Sequence, residues 1–90
     1  MPDIVIYGTQ HCGYCVRAQQ FLTARGLPYT YIYVDREPQR RDEMLRRSAG
    51  RYTVPQIFID DFHVGGYDDM IALDRQGKLD PLLGLQSIKL

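Results

Sequence analysis

Three features of this 90-residue sequence imply an α/β fold, a four-stranded mixed sheet flanked by helices in the order β-α-β-α-β-β-α. Short apolar, β-branched runs alternate with longer stretches of helical periodicity. Strand–helix–strand at this spacing makes a parallel pair with a right-handed crossover. Two later apolar runs are joined by a tight turn and so form a hairpin, which supplies the antiparallel half of the sheet.

Each element has its own signal. "DIVIY" at 3–7 is apolar and β-branched and reads as a buried strand, ended by Gly8 and Thr9. From Cys15 to Arg25 the pattern turns helical, with Ala18, Phe21, Leu22 and Arg25 recurring at three and four, and Gly26 stands where a helix C′ residue belongs. "PYTYIYV" at 28–34 alternates Tyr29, Tyr31 and Tyr33 against Thr30, Ile32 and Val34, a second strand. Pro38 opens a second helix, whose inward face is Met44, Leu45, Ser48 and Ala49 and which Gly50 ends. "QIFID" at 56–60 is the third strand, Asp60-Asp61 the turn, and "FHVG" the fourth strand. After the Gly65-Gly66 break a last helix runs from about Tyr67 to Gln76, with Asp68 and Asp69 in its first turn, where acids suit the helix dipole. Helices on both faces of such a sheet make the architecture thioredoxin-like. No repeat, linker or low-complexity tract interrupts it, so residues 1–90 read as one domain.

Composition narrows the function. With 44% hydrophobic residues, a packed core is affordable for a chain of this length. Eleven basic and eleven acidic residues cancel to a formal net charge of zero, which argues against bulk nucleic-acid or anionic-membrane binding. The N-terminal "MPDIVIYGTQ" has no basic n-region and no long apolar h-region. No run approaches the roughly 18 apolar residues of a membrane span. Two cysteines are too few for a secreted disulfide scaffold, so the expectation is a cytosolic protein.

Those two cysteines stand in "QHCGYCVRA", with Cys12 at the end of strand 1 and the start of helix 1. The first N–H groups of a helix lack intrahelical partners, and with the macrodipole they favour an anion. A thiol there has its pKa depressed. Cys12 is therefore the expected thiolate, and Cys15, one turn further in, the resolving thiol. A structural zinc site needs four ligands, and only His11 and His63 remain, far apart in sequence. A purely structural disulfide would close too short a loop to restrain the unfolded chain much. Redox chemistry fits the C-x-x-C beside a βαβ pattern.

"CGYC" at a helix start, "TVPQIFI" at 53–59 and "GGYDD" at 65–69, in this order, resemble the glutaredoxins, the small dithiol members from bacteria in particular. The resemblance runs from Ile4 to about Leu83. Thioredoxin, on the same fold, typically has Trp before C-G-P-C, and this chain has no Trp.

The resemblance implies a glutathione-dependent thiol–disulfide oxidoreductase, monomeric, that acts on glutathionylated or disulfide-containing proteins. It implies a cis Val54-Pro55 peptide opposite Cys12, with the Val54 backbone free to pair with the extended glutathione peptide. Thr53, Val54, Pro55, Gly66, Tyr67 and Asp68 are then the glutathione-binding residues, with Tyr14 at the mouth of the cleft. Asp68 would pair with the ligand's ammonium, and as an isolated feature it reads as a helix cap. The remaining tyrosines, mostly strand residues, are assigned to packing. Two departures stand out. Thr9 takes the place of the Lys that the family commonly has before C-x-x-C, so a carboxylate contact would come from an arginine, Arg51 being the choice among six in "REPQRRDEMLRRSAGR". Gly13 stands where bacterial dithiol members usually have Pro. That departure raises an alternative, an iron–sulfur carrier or redox sensor in which a [2Fe–2S] cluster is held across a dimer by two Cys12 thiolates and two glutathiones.

Overall fold

The computed structural model describes residues 2–85. Five elements surround the site: β1 (Ile4–Gly8), α1 (Gly13–Ala24), β2 (Thr30–Tyr33), β3 (Gln56–Ile59) and β4 (Phe62–Gly65). The sheet runs β2-β1-β3-β4, with β1 parallel to β2 and antiparallel to β3, and β3 antiparallel to β4. This is the expected mixed sheet. Three further helices complete the fold: α2 (Pro38–Arg47), α3 (Tyr67–Arg75) and α4 (Leu79–Leu82). The sequence reading assigned nothing after Gln76, so α4 is an addition.

Side-chain alternation on β1 and β3 divides the core in two. Ile4, Ile6, Ile57 and Ile59 face α1, α3 and α4, where they meet Ala18, Leu22, Met70, Leu79 and Leu83. Tyr7 and Phe58 face the other way and pack with Ile32, Val34 and Met44 under α2. The helices thus cover both faces. At about 25 cal/mol per Å² of apolar surface removed from water, this burial is the main stabilising term.

Helix ends differ in instructive ways. Around the end of α1, Gly26 takes φ +67°, its N–H donates to Thr23 O, and Leu27 N–H donates to Leu22 O, both at 3.0 Å. That is a Schellman motif, closed by contact between buried Leu22 and Leu27. The helix starts at Gly13, two residues before its apolar periodicity does. α2 departs from expectation. Its inward face includes buried Met44, and Ser48 beyond its last turn is buried too, but Ala49 is exposed and left-handed at φ +57°. Gly50 N–H donates to Leu45 O at 2.8 Å, so Ala49, and not Gly50, is the C′ residue. Two of the tyrosines expected to pack inside do not. Tyr52 is 71% exposed, and Tyr33 lies on the exposed side of the edge strand β2.

The β3–β4 hairpin carries a bulge. Ile57 pairs with Gly65 and Phe58 with His63, which leaves Val64 as the extra residue. Gly65 follows at φ +108°, where a Cβ would collide with the Asp69 carboxylate and crowd Arg51. Only glycine fits that junction, and it delivers the chain into α3 beside the 53–55 segment.

Candidate active site

Cys12 is the N-cap of α1. Its backbone is extended, its carbonyl accepts Val16 N–H at 3.1 Å, and its Sγ accepts Cys15 N–H at 3.1 Å. The sulfur thus occupies the place usually taken by a Ser or Asp oxygen, against an otherwise unpaired helix donor. Such an environment favours the thiolate over the thiol. Cys12 and Cys15 are joined as a disulfide with their Cα atoms 5.1 Å apart. Their exposures differ sharply: Cys15 is 0% exposed, while Cys12 remains partly open to solvent. A substrate can reach only the first.

Opposite Cys12 stands the segment before β3. The Val54-Pro55 peptide is cis, as expected, and the Val54 carbonyl oxygen lies 3.9 Å from Cys12 Sγ. Beside them opens a cleft of about 320 Å³. It is lined by Tyr14, Val54 and Pro55 together with Gly66, Tyr67 and Asp68 at the start of α3. The rings of Tyr14 and Tyr67 approach to 6.2 Å between centroids, and the Arg17 guanidinium covers Tyr14 at 5.2 Å. Six of the seven residues expected to bind glutathione therefore line this cleft, and the cysteine pair stands beside it, with Cys12 Sγ facing Val54. Thr53 is the exception. It does not line the cleft, and its carbonyl and hydroxyl are both taken by the Gln56 amide.

The start of α3 separates two adjacent acids. Asp69, at N3, accepts the Gly66 N–H at 2.8 Å and lies 3.5 Å from Arg51. It is the cap of the helix. Asp68 is exposed and makes no hydrogen bond or ion pair among the described residues, so its carboxylate is available to a ligand. The G-x-x-D spacing at 66–69 was the available signal for the cap, half of a capping box. Arg51 lines the cleft, with its Nη2 3.5 Å from the Asp69 carboxylate. Thr9 offers no charge, and its carbonyl accepts the Tyr31 hydroxyl at 2.7 Å. Among the described residues no three His, Cys, Asp or Glu side chains converge as a metal site. Gly13 is exposed, and a Cβ there would meet nothing within 4 Å.

Fold and site together define a thiol–disulfide oxidoreductase-like protein on the thioredoxin-like architecture. The comparisons narrow the class: a family model described as Glutaredoxin matches residues 4–64. A glutaredoxin of Pseudomonas aeruginosa is 52% identical over 92% of this chain and 98% of its own length. Glutaredoxin 3 of Escherichia coli is 48% identical over 92% and 99%. Among solved structures, the glutaredoxin of Brucella melitensis is 45% identical with a TM-score of 0.79, covering 99% of this chain and 96% of that one. A buckwheat glutaredoxin, crystallised as a glutathione complex, is 32% identical with a TM-score of 0.81, over 92% and 77%. This chain belongs to the glutaredoxin family.

Proposed function

We propose that the chain, as one domain, reduces protein–glutathione mixed disulfides, and disulfides more generally, at the expense of glutathione. The observation that carries this reading is the placement of an accessible sulfur at a helix N-cap, facing the Val54 carbonyl at the end of the cleft. The likeness to a buckwheat protein crystallised with glutathione supports the choice of ligand.

The chemistry follows from the geometry. Glutathione lies extended in the cleft, its backbone against Val54 and its γ-glutamyl end toward Gly66, Tyr67 and Asp68. The helix N-terminus receives the γ-glutamyl carboxylate, and Asp68 pairs with the ammonium. The Cys12 thiolate attacks the glutathione-side sulfur of the mixed disulfide. A Cys12–glutathione bond forms, the substrate disulfide breaks, and the departing protein thiolate takes a proton from water. A second glutathione thiolate then attacks the bound glutathione sulfur, which yields glutathione disulfide and restores the Cys12 thiolate. Alternatively the Cys15 thiolate attacks Cys12 Sγ, releases reduced glutathione and leaves the Cys12–Cys15 disulfide. This reading takes the protein as a monomer in the cytosol, where glutathione keeps thiols reduced. No helix among the described residues is long and apolar enough to cross a membrane.

Parallel assays test it. A glutathionylated peptide should turn over rapidly with glutathione as reductant, and insulin should be reduced poorly without it. Strong insulin reduction without glutathione would overturn the proposal in favour of a thioredoxin-like role.

One observation favours a second reading. The helix start beside Cys12 is unencumbered at Gly13, which leaves room for a [2Fe–2S] cluster shared by two copies, with Cys12 and glutathione as ligands. Cys12 is the one accessible sulfur each chain would contribute, and a bound cluster would store an electron. Anaerobic reconstitution with iron, sulfide and glutathione, read by UV–visible spectrum and by mass in solution, tests it. A colourless monomer removes this reading.

A further inference from the structure

We propose that Gln56 and His63 form a hydrogen-bonded relay that positions the Thr53–Pro55 segment, and through it the affinity of the cleft for glutathione. The inference rests on the glutathione reading above and adds two residues to it that touch neither the sulfur nor the cleft.

Gln56 is the first residue of β3 and is 0% exposed. Its Nε2 donates to the Thr53 carbonyl at 2.9 Å and to the Thr53 hydroxyl at 3.1 Å. A carbonyl oxygen can only accept, so the NH₂ end of the amide faces Thr53. Its Oε1 therefore faces His63, whose Nε2 lies 2.6 Å away. That oxygen also can only accept, which requires the hydrogen of His63 to sit on Nε2. The ring is held flat for this purpose, stacked on Phe58 at 4.8 Å and 22°. Cross-strand register puts it there: Phe58 pairs with His63, one step beyond the Ile59–Phe62 pair that closes the hairpin. The result is a directional chain from His63 through Gln56 to Thr53.

Apart from this grip the segment is held by packing, with Pro55 buried and Val54 against the core, and not by sheet hydrogen bonds. The β1–β3 ladder begins only at Tyr7 and Gln56, so residues 53–55 lie outside it. Pro55 has no N–H to give. The Gln56 amide grips both the carbonyl and the hydroxyl of the residue just before Val54, the residue whose carbonyl faces Cys12 Sγ. If the amide rotates, the Val54 backbone loses its fixed direction toward a bound peptide. Burial, then the Arg51 guanidinium, holds His63 below the usual imidazole range, with Arg47 acting the same way and Asp69 opposing. The neutral Nε2–H tautomer is thus the form present at pH 7, and protonation at Nδ1 leaves the Nε2 donor in place.

The test compares His63→Gln with His63→Asn. Gln carries its amide nitrogen where Nε2 was. Asn falls short, near the position of Nδ1, and leaves Gln56 Oε1 without a donor. Each variant is assayed for KM and kcat on a glutathionylated peptide, for reduction of an aromatic disulfide without a glutathione moiety by the dithiol form, and for the alkylation pH profile of Cys12. We expect His63→Asn to raise KM for the glutathionylated peptide about 5- to 10-fold, because the loosened Thr53–Pro55 segment must then be ordered when glutathione binds. Its kcat, its rate on the aromatic disulfide and its alkylation profile should stay as in the wild type, and His63→Gln should restore KM. Unchanged KM in His63→Asn, or a KM that His63→Gln does not restore, overturns the relay while leaving the glutathione reading intact. A wild type with no preference for the glutathionylated peptide overturns the glutathione reading and the relay with it.

Discussion

Cys12 and Cys15 are the same residue type in opposite surroundings. One caps the helix and meets solvent, and the other is sealed beneath it. In the proposed reaction only Cys12 can be attacked or attack from outside. Cys12→Ser should therefore reduce activity at least about 1000-fold, since a hydroxyl is not appreciably ionised at neutral pH. Cys15→Ser should keep most of the glutathione-dependent activity, because free glutathione can release the bound one. Steady-state rates on a glutathionylated peptide check both, and reversed phenotypes would refute the assignment. Asp68 and Asp69 make a second contrast. Losing the free carboxylate in Asp68→Ala should raise KM about 2- to 5-fold, the worth of an exposed ion pair, with little change in thermal midpoint. Asp69→Ala instead removes the cap on Gly66 N–H and should cost about 1 kcal/mol of stability. A chemical denaturation curve beside the KM measurement separates them; a KM effect from Asp69 alone would reassign the ligand contact.

Among the elements, those set by local pattern were readable in advance and those set by cross-chain geometry were not. β1, β3 and β4 appear where the β-branched runs put them, and Gly26 ends α1 because only a left-handed residue closes that motif cheaply. The cysteine pair was legible from spacing and from its place between strand and helix; the walls of the cleft came from the family resemblance. Periodicity could not reveal α4, a single turn containing Pro81. Nor could it place Gln56 against His63, since that contact joins two strands across the hairpin. A polar residue within "VPQIFI" was the only hint. Ala49 was misread because alanine favours helix interiors, whereas the chain needs a left-handed residue there. The left-handed region costs a non-glycine residue about 1–2 kcal/mol. Glycine avoids that cost but loses more entropy on folding. Ala49→Gly should thus stabilise the protein by about 0.5–1 kcal/mol and raise its thermal midpoint by roughly 2–8 °C. A lowered midpoint would mean that the motif at 48–50 is not as described.

At the scale of the whole molecule, the two faces of the sheet are built differently. The face under α1, α3 and α4 is apolar, whereas the face under α2 ends in a polar network. There the buried Tyr7 hydroxyl donates to Glu43 and accepts from Arg47 Nη1 at 3.0 Å, and Arg47 also caps Asp60 O at 3.0 Å and stacks on Phe58. Burial, then Glu43, raises Tyr7 above its usual value, so it stays a donor throughout the neutral range. The hydrogen bond from Tyr7, more than its ion pair with Arg40, holds Glu43 below the usual 4.5. Stacked on Phe58, His63 is held below the usual 6.5, chiefly by burial. Both groups are depressed in the fold, so the unfolded chain binds more protons and stability must fall on acidification. The contribution of His63 is complete above about 6.5 and is lost as pH falls through its lower folded value. That of Glu43 is complete above about 4.5 and goes below it. Thermal midpoints followed by circular dichroism from pH 8 to pH 3.5 should therefore decline in two stages. His63→Gln, which keeps the donor but cannot titrate, should remove the first stage and leave the second, and Glu43→Gln should do the reverse. A midpoint that rises between pH 7 and pH 5.5 would show that His63 is stabilised, not penalised, by its charge, and that Asp69 outweighs burial and the two arginines around it.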